Sequence, residues 1–200
     1  GRMSPLGFYV QGQVEDWEKV LGEVVRYRFQ PLDPETGRQQ AFGWVDLNDP
    51  FFTEFTRAGL FYGDAMVALS MRVDTVSIPS SQLKLHLAKR LRDLRLETKR
   101  ESIPKAEAAQ VKEDLQAELM SRVVPTIKVY EMVYNTETGR LWFFGKAQGI
   151  VQTFMDLFHE TFGLYLAPDS PYTVARERFS EELADSLLEL EETRFVSIDE

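Results

Sequence analysis

Cysteine is absent from the 200 residues of this sequence. Its absence excludes disulfide scaffolds, thiolate metal sites and cysteine nucleophiles, and it is compatible with a reducing compartment. Long apolar runs are absent too, because none approaches the roughly 18 residues that a membrane-spanning helix requires. The chain does not open with a basic segment followed by an apolar one, as a secretion signal would. We therefore expect a soluble, intracellular protein.

Histidine is scarce, with only two copies, so each can be judged singly. His86 lies among lysines and arginines, where a solvated or phosphate-facing side chain is expected rather than a catalytic base. His159 and Glu160 begin like the H-E-x-x-H zinc motif, but Gly163 stands where the second histidine would be. The G-x-S-x-G motif, the P-loop and the dinucleotide fingerprint are also missing. We therefore predict no catalytic residues, no metal site and no cofactor.

What is present is the composition of a folded protein, with 44% hydrophobic, 12% aromatic and 28% charged residues. A chain of this length can bury about 70% of its unfolded surface. Alternating segments bounded by turn residues predict strands at 6–10, 41–45, 64–78, 126–134, 141–144 and 164–166. Helical spacing of apolar residues predicts helices at 14–29, from 80 onward, and at 104–124, 150–162 and 176–193.

The order of these elements favours an α+β fold, because hairpins replace strict β-α-β alternation and point to a largely antiparallel sheet. We predict two small sheet units linked by a long helix pair. The expected segments are an N-terminal α+β unit over 3–79, a basic helix pair over 80–125, a hairpin and helix unit over 126–175, and an acidic helical tail over 176–200.

Charge is unevenly distributed along the chain. The whole chain has 23 Lys and Arg against 32 Asp and Glu, a net charge of −9. Residues 80–105 hold eight cations against three anions, which leaves 15 cations against 29 acids for the rest of the chain, a net charge of −14. Within that remainder, residues 176–200 carry nine acids and three arginines. A basic element is therefore attached to an acidic body.

The basic element is a candidate surface for a phosphate backbone. A helix that presents a row of cations binds phosphates with an affinity that depends on salt and not on sequence. The alternative is a solvated helix face, which is the usual role of exposed lysine and arginine. The candidate DNA-binding residues are Arg72, Lys84, Lys89, Arg90, Arg92, Arg95, Lys99, Arg100 and Lys105.

Two other function classes stay open. Asp93 with the Glu97-x-Lys99 spacing resembles the ligand set of a metal-dependent nuclease, but such residues need a strand and here fall on a leucine-striped helix. The third class is a protein-interaction module. Its basis is the apolar stripe of the acidic tail, which must be buried against the protein itself or a partner. That stripe consists of Phe179, Leu183, Leu187 and Leu190.

Several strings resemble the RdgC family of bacterial recombination-associated proteins over most of residues 41–175. The strings are FGWV at 42–45, LSMRVDTVSIPSSQLKLHL at 69–87 and VKEDLQAELMSRVVP at 111–125, followed by the VYEMVYN and LWFFG hairpin. None of them is a catalytic motif, and the specificity lies in their order and spacing. The positions that carry the resemblance are Gly43, Trp44, Val45, Arg72, Pro79, Ser80, Lys84, Lys112, Glu113, Leu115, Leu119 and Arg122.

The resemblance implies a cytoplasmic, nucleoid-associated protein that binds DNA without sequence preference, with double strands favoured. It further implies a homodimer of two crescent-shaped subunits that encircle the duplex and restrict the access of the RecA recombinase. An exonuclease label also attaches to the family, but this sequence supplies no catalytic constellation for it. The chain is shorter than a typical family member, and the sequence leaves open whether two copies close a ring.

Overall fold

The computed structural model describes residues 4–33 and 36–169, which form an α+β fold as predicted. The predicted acidic helix at 176–193 lies outside the described residues. The elements in chain order are β1 (Leu6–Gln11), α1 (Trp17–Arg26), β2 (Gln40–Val45), α2 (Arg57–Leu60), β3 (Phe61–Tyr62), β4 (Met66–Thr75), α3 (Ser80–Thr98), α4 (Lys105–Arg122), β5 (Thr126–Asn135), β6 (Arg140–Phe143), α5 (Gln148–Phe162) and β7 (Tyr165–Pro168).

All seven strands form one sheet. Six of them follow the order β2-β4-β5-β6-β1-β7, and the seventh, β3, pairs with β4 outside this order. Antiparallel pairing joins β1 to β6 and to β7, β5 to β6, and β3 to β4. The prediction of two separate sheet units is therefore wrong. The reason is that β4 and β5, which flank the helix pair in sequence, are neighbours in the sheet, so backbone hydrogen bonds join the two predicted halves.

The start of β4 lies beside the end of β5. The backbone N–H of Thr136 donates to the carbonyl oxygen of Ala65 at 2.8 Å, and the Thr136 hydroxyl donates to the same oxygen at 3.0 Å. Because the chain enters β4 where it leaves β5, the two strands run antiparallel. The helix pair thus leaves the sheet at the end of β4 and returns to it at the start of β5.

Contacts between α-carbons divide the chain into two compact units. Among the described residues, the first unit contains 4–28, 44–71 and 130–169, and the second contains 29–43 and 72–129 without residues 34 and 35. The helix pair over 80–125 falls within the second unit. The predicted segment boundaries at 79, 125 and 175 stay predictions.

Aromatic side chains from α5 fill the core of the first unit. Phe154, Phe158 and Phe162 recur every four residues and therefore share one face of the helix, and all three are buried. Phe154 stacks on Phe143 of β6 with ring centroids 3.9 Å apart, and Phe158 stacks on Phe162 at 4.4 Å. The helix ends at Gly163, whose φ of +68° lies in the left-handed region that glycine adopts without steric cost.

The second unit contains the helix pair, and its first helix buries little. α3 has no fully buried residue, whereas α4 buries Leu115 and Met120. α3 begins after Pro79 and ends at Lys99, whose φ of 52° places a non-glycine residue in the left-handed region. No helix in the described part of the chain is long and apolar enough to cross a membrane.

Candidate nucleic-acid interface

The outward face of α3 combines cations with leucines. Leu85, Lys89, Arg92 and Leu96 follow one another at spacings of four, three and four residues, so they align on one face of the helix. The stripe formed by Leu83, Leu87 and Leu94 occupies the opposite face and is partly buried. We call the first set, together with Arg95 and Lys99, the outer face of α3.

A shallow groove of about 460 Å³ runs along the outer face of α3 and collects three of the predicted DNA-binding residues. Arg95 lies three residues beyond Arg92, so both belong to the same side of the helix. Lys89, Arg92 and Arg95, which are close in sequence, therefore also line one groove in the structure. The groove is lined by Leu85, His86, Ala88, Lys89, Arg92 and Arg95.

Ion pairing leaves the charges of the outer face largely uncompensated. Arg92 Nε lies 3.6 Å from Asp93 Oδ1, and both side chains are exposed, so this pair is weak. Lys84, Lys89, Arg95 and Lys99 are exposed and form no ion pair with a described residue. Apart from the weak pair of Arg92 with Asp93, the cations of this face are therefore presented to solvent without a carboxylate partner among the described residues.

Two other predicted residues have carboxylates nearby. Arg90 lies on the flank of α3 that faces α4, in a cleft of about 460 Å³ that it shares with Asp93, Glu97 and Asp114. Arg100 donates to Glu107 Oε2 at 2.9 Å. Both guanidinium groups are exposed, but acids lower the local positive potential. Lys105 is exposed at the first position of α4 and has no ion pair among the described residues.

Arg72, one of the predicted DNA-binding residues, is buried in the structure. It is 8% exposed, and its guanidinium donates to both carboxylate oxygens of Asp74, from Nε at 2.8 Å and from Nη2 at 2.7 Å. The same guanidinium lies over the ring of Phe29, 4.2 Å from its centroid. An arginine held in this way is not available to a phosphate, so the prediction that Arg72 contacts DNA is wrong. Arg72 supports the fold of the second unit instead.

The acidic residues of the nuclease hypothesis meet in the cleft between α3 and α4. Asp93, Glu97 and Asp114 all line it, whereas Lys99 lies beyond the last turn of α3. Across residues 4–33 and 36–169, no group of three or more histidine and acidic side chains is placed to hold a metal ion. Asp93 and Glu97 therefore share one cleft without belonging to such a group, and the nuclease stays a hypothesis.

His159 has structural partners in the first unit. Its ring stacks on Tyr165 with centroids 4.2 Å apart, and Nδ1 lies 3.3 Å from the carbonyl oxygen of Leu164. Gly163, in the position of the second zinc ligand, forms the end of α5. His159 and Glu160 therefore belong to the C-terminal end of α5. His86, by contrast, lies in the groove along the outer face of α3, where it adds a further polar side chain.

A pocket of about 560 Å³ along α1 and at the C-terminal end of α5 was not anticipated from the sequence. Its lining includes Glu15, Asp16, Glu23 and Glu160 against Lys19 and Arg26, so acids outnumber bases. Tyr27 in the same pocket donates to Glu160 Oε2 at 2.8 Å. This hydrogen bond, with burial and the negative charge of Glu160, raises the pKa of Tyr27. The pocket does not suit a phosphate, and no local sequence pattern marks it.

Comparison with known proteins gives no family for this chain. No family model matches it, and no curated protein matches it significantly. A function for the chain must therefore follow from the charge, exposure and spacing of the residues described above, beginning with the outer face of α3.

Proposed function

We propose that this protein binds DNA without sequence preference through the outer face of α3. The observation that carries the proposal is the groove in which Lys89, Arg92 and Arg95 are exposed together, with the weak contact of Arg92 to Asp93 as their one ion pair among the described residues. Lys84 and Lys99 extend the row at its two ends. Exposed cations along a helix can contact backbone phosphates, and their binding releases condensed counterions from the DNA.

The lack of sequence preference follows from the residue types on this face. Lysine and arginine that contact phosphate oxygens position a protein on the duplex but carry no sequence information. The acidic remainder of the chain, with a net charge of −14, repels a polyanion. A duplex that approaches the protein is therefore steered toward the outer face of α3.

A homodimer is part of the proposal. One basic helix contacts a duplex from one side, and a two-fold partner supplies a second copy of the same surface. Two copies on one DNA also raise affinity through effective concentration. This matches the resemblance to the RdgC family, with its crescent subunits, its nucleoid association in the cytoplasm and its antagonism of RecA.

The homodimer is tested by light scattering, which is expected to give about twice 23.1 kDa. A strict monomer that binds duplex tightly would refute encirclement.

The test is a salt titration of duplex and single-stranded DNA binding. The variant replaces Lys89, Arg92 and Arg95 with glutamine. We expect the magnitude of the slope of log K against log salt to fall by about 0.9 for each duplex phosphate contact that is lost, and affinity to fall alike for all sequences.

The matched control replaces Lys19, Lys128 and Lys146 with glutamine. These three lysines are exposed and lie outside α3, so the control has the same net charge as the test variant. If the two triple variants bind DNA equally, general charge and not the outer face of α3 determines affinity. That result would overturn the proposed interface.

We further propose that the protein binds DNA without cleaving it. The rival is a metal-dependent nuclease that uses Asp93 and Glu97, and it predicts loss of labelled DNA ends stimulated by Mg²⁺ or Mn²⁺. We expect no turnover above background. Reproducible cleavage that disappears in Glu97→Gln would replace the binding proposal with an enzymatic one.

A further inference from the structure

Two leucines on the outer face of α3 are placed where cations alone would be expected. Leu85 and Leu96 are each 72% exposed, among the highest exposures of any large apolar side chain that the structure describes. They belong to the same helix face as Lys89 and Arg92. Moving the side chain of an exposed leucine from water into contact with an apolar surface lowers the free energy. The leucines are therefore unexplained by phosphate binding.

The distance between the two leucines defines the length of the surface that a partner must contact. Leu96 lies eleven positions after Leu85, which corresponds to about 16 Å along the helix. Lys89, Arg92 and Arg95 lie between them, and Leu85 lines the same groove as these cations. Any partner that reaches both leucines must also neutralise the charges in between, so it is a polyanion with apolar surface within reach.

Duplex DNA has this combination. Its phosphates flank grooves whose walls and floor contain deoxyribose carbons and base edges, and the major groove, about 12 Å wide, admits an α-helix. An anionic membrane fits less well, because interfacial helices present a wide apolar face of several large side chains. Here the broader leucine stripe of α3, at 83, 87 and 94, lies on the opposite, partly buried side.

We infer that α3 enters a groove of the duplex, where Leu85 and Leu96 contact sugar and base carbons while the cations between them engage the phosphates. This inference rests on the proposed function and deepens it, because a helix lying across the phosphates alone would leave both leucines in water. It predicts a component of affinity that does not depend on salt.

The test compares Leu85→Gln, Leu96→Gln and the parent protein in the same salt titration on duplex DNA. Glutamine keeps helix propensity similar to that of leucine. We expect each variant to bind about fivefold more weakly at every salt concentration, which corresponds to loss of about 1 kcal/mol of apolar contact, with an unchanged slope. The control is Val124→Gln, the same kind of exchange at a residue 86% exposed outside α3, which should bind as the parent does.

The other outcomes each overturn the inference. Unchanged binding of both leucine variants would show that α3 lies across phosphates only, and a changed slope would show that the leucines act through the cations. A lower mass in light scattering would assign the leucines to a contact between copies, whereas loss of binding to phosphatidylserine vesicles without loss of DNA binding would assign them to a membrane. If the parent protein itself does not bind DNA, the proposed function fails first, and this inference fails with it.

Discussion

The indole N–H of Trp44 donates to the hydroxyl oxygen of Thr161 at 2.8 Å, and both residues are buried. Trp44 is the next-to-last residue of β2, and Thr161 lies in the last turn of α5. The Thr161 hydroxyl in turn donates to the carbonyl oxygen of Leu157 at 2.7 Å. This chain of hydrogen bonds satisfies the only polar atom of the Trp44 side chain within an aromatic core.

Replacing Thr161 with valine should destabilise the protein. The variant keeps the side-chain shape but leaves the buried Trp44 N–H without a partner, which costs about 1–3 kcal/mol of unfolding free energy. Urea denaturation measures the change as a lower midpoint at an unchanged m-value. Thr161→Ser retains the hydroxyl and is the control for the hydrogen bond. A Thr161→Val protein as stable as the parent would show that the bond contributes nothing.

Arg72 and Asp74 should affect stability rather than the salt dependence of DNA binding. Asp74→Ala removes the carboxylate that accepts two hydrogen bonds from a buried guanidinium, and breaking such a buried pair costs about 3–5 kcal/mol. The double variant Arg72→Met with Asp74→Leu should be more stable than Asp74→Ala, because no buried charge is left unpaired. If the double variant folds and shows a flatter salt slope than the parent, Arg72 contacts phosphate after all.

Lys99 gives a prediction in which stability and binding change in opposite directions. Its φ of 52° is strained for a residue with a side chain. Lys99→Gly should therefore stabilise the protein, by about 1 kcal/mol at most. The same change removes a cation of the outer face of α3 and should weaken DNA binding at low salt. Lys99→Gln separates the two effects, since it removes the charge and keeps the strain. Equal stability of the glycine and glutamine variants would contradict the strain.

Tyr27 should titrate above its ordinary value of 10.0, because ionisation would break its hydrogen bond to Glu160 and place two negative charges together. Spectrophotometric titration against Tyr27→Phe isolates its signal, and Glu160→Gln should bring the pKa back toward 10.0. A pKa raised by folding means that neutral Tyr27 stabilises the native state below about pH 10. That contribution is lost as pH rises through the folded-state pKa. Identical titrations of parent and Glu160→Gln would refute the coupling.

The sequence predicts the longer elements well and the shortest ones poorly. α1, α3 and α4 lie within the predicted helical segments, and α5 begins two residues before its predicted start at 150, because apolar spacing extends over several turns. α2 and β3, of four and two residues, fall outside the predicted segments, since neither is long enough to show a period. The single sheet was missed because β1 pairs with β6 and β7 from the other end of the chain, and such pairing is invisible to a local pattern.

For the candidate site too, the sequence predicts features that depend on local composition better than features that depend on packing. The cations of 80–105 were predictable from charge alone, and all eight are exposed. Arg72 alternates with apolar residues along the predicted strand at 64–78, but β4 lies between β2 and β5 and is buried on both faces. The sequence could not separate Arg90 and Arg100 from the rest either. Their acidic neighbours Asp114 and Glu107 lie on α4, and only the packing of the two helices brings them close.

The route of the helix pair, out from β4 and back into the adjacent β5, makes it an insertion into a β-hairpin. Residues between the two strands can change, lengthen or be exchanged while the hydrogen bonds of the sheet are kept. The fully buried residues of the helix pair, Leu115 and Met120, both belong to α4, so α3 is the helix of the pair under the weaker folding constraint. Natural variation in such a protein would be expected to accumulate on α3 without loss of the fold, which allows its binding preference to evolve independently of its stability.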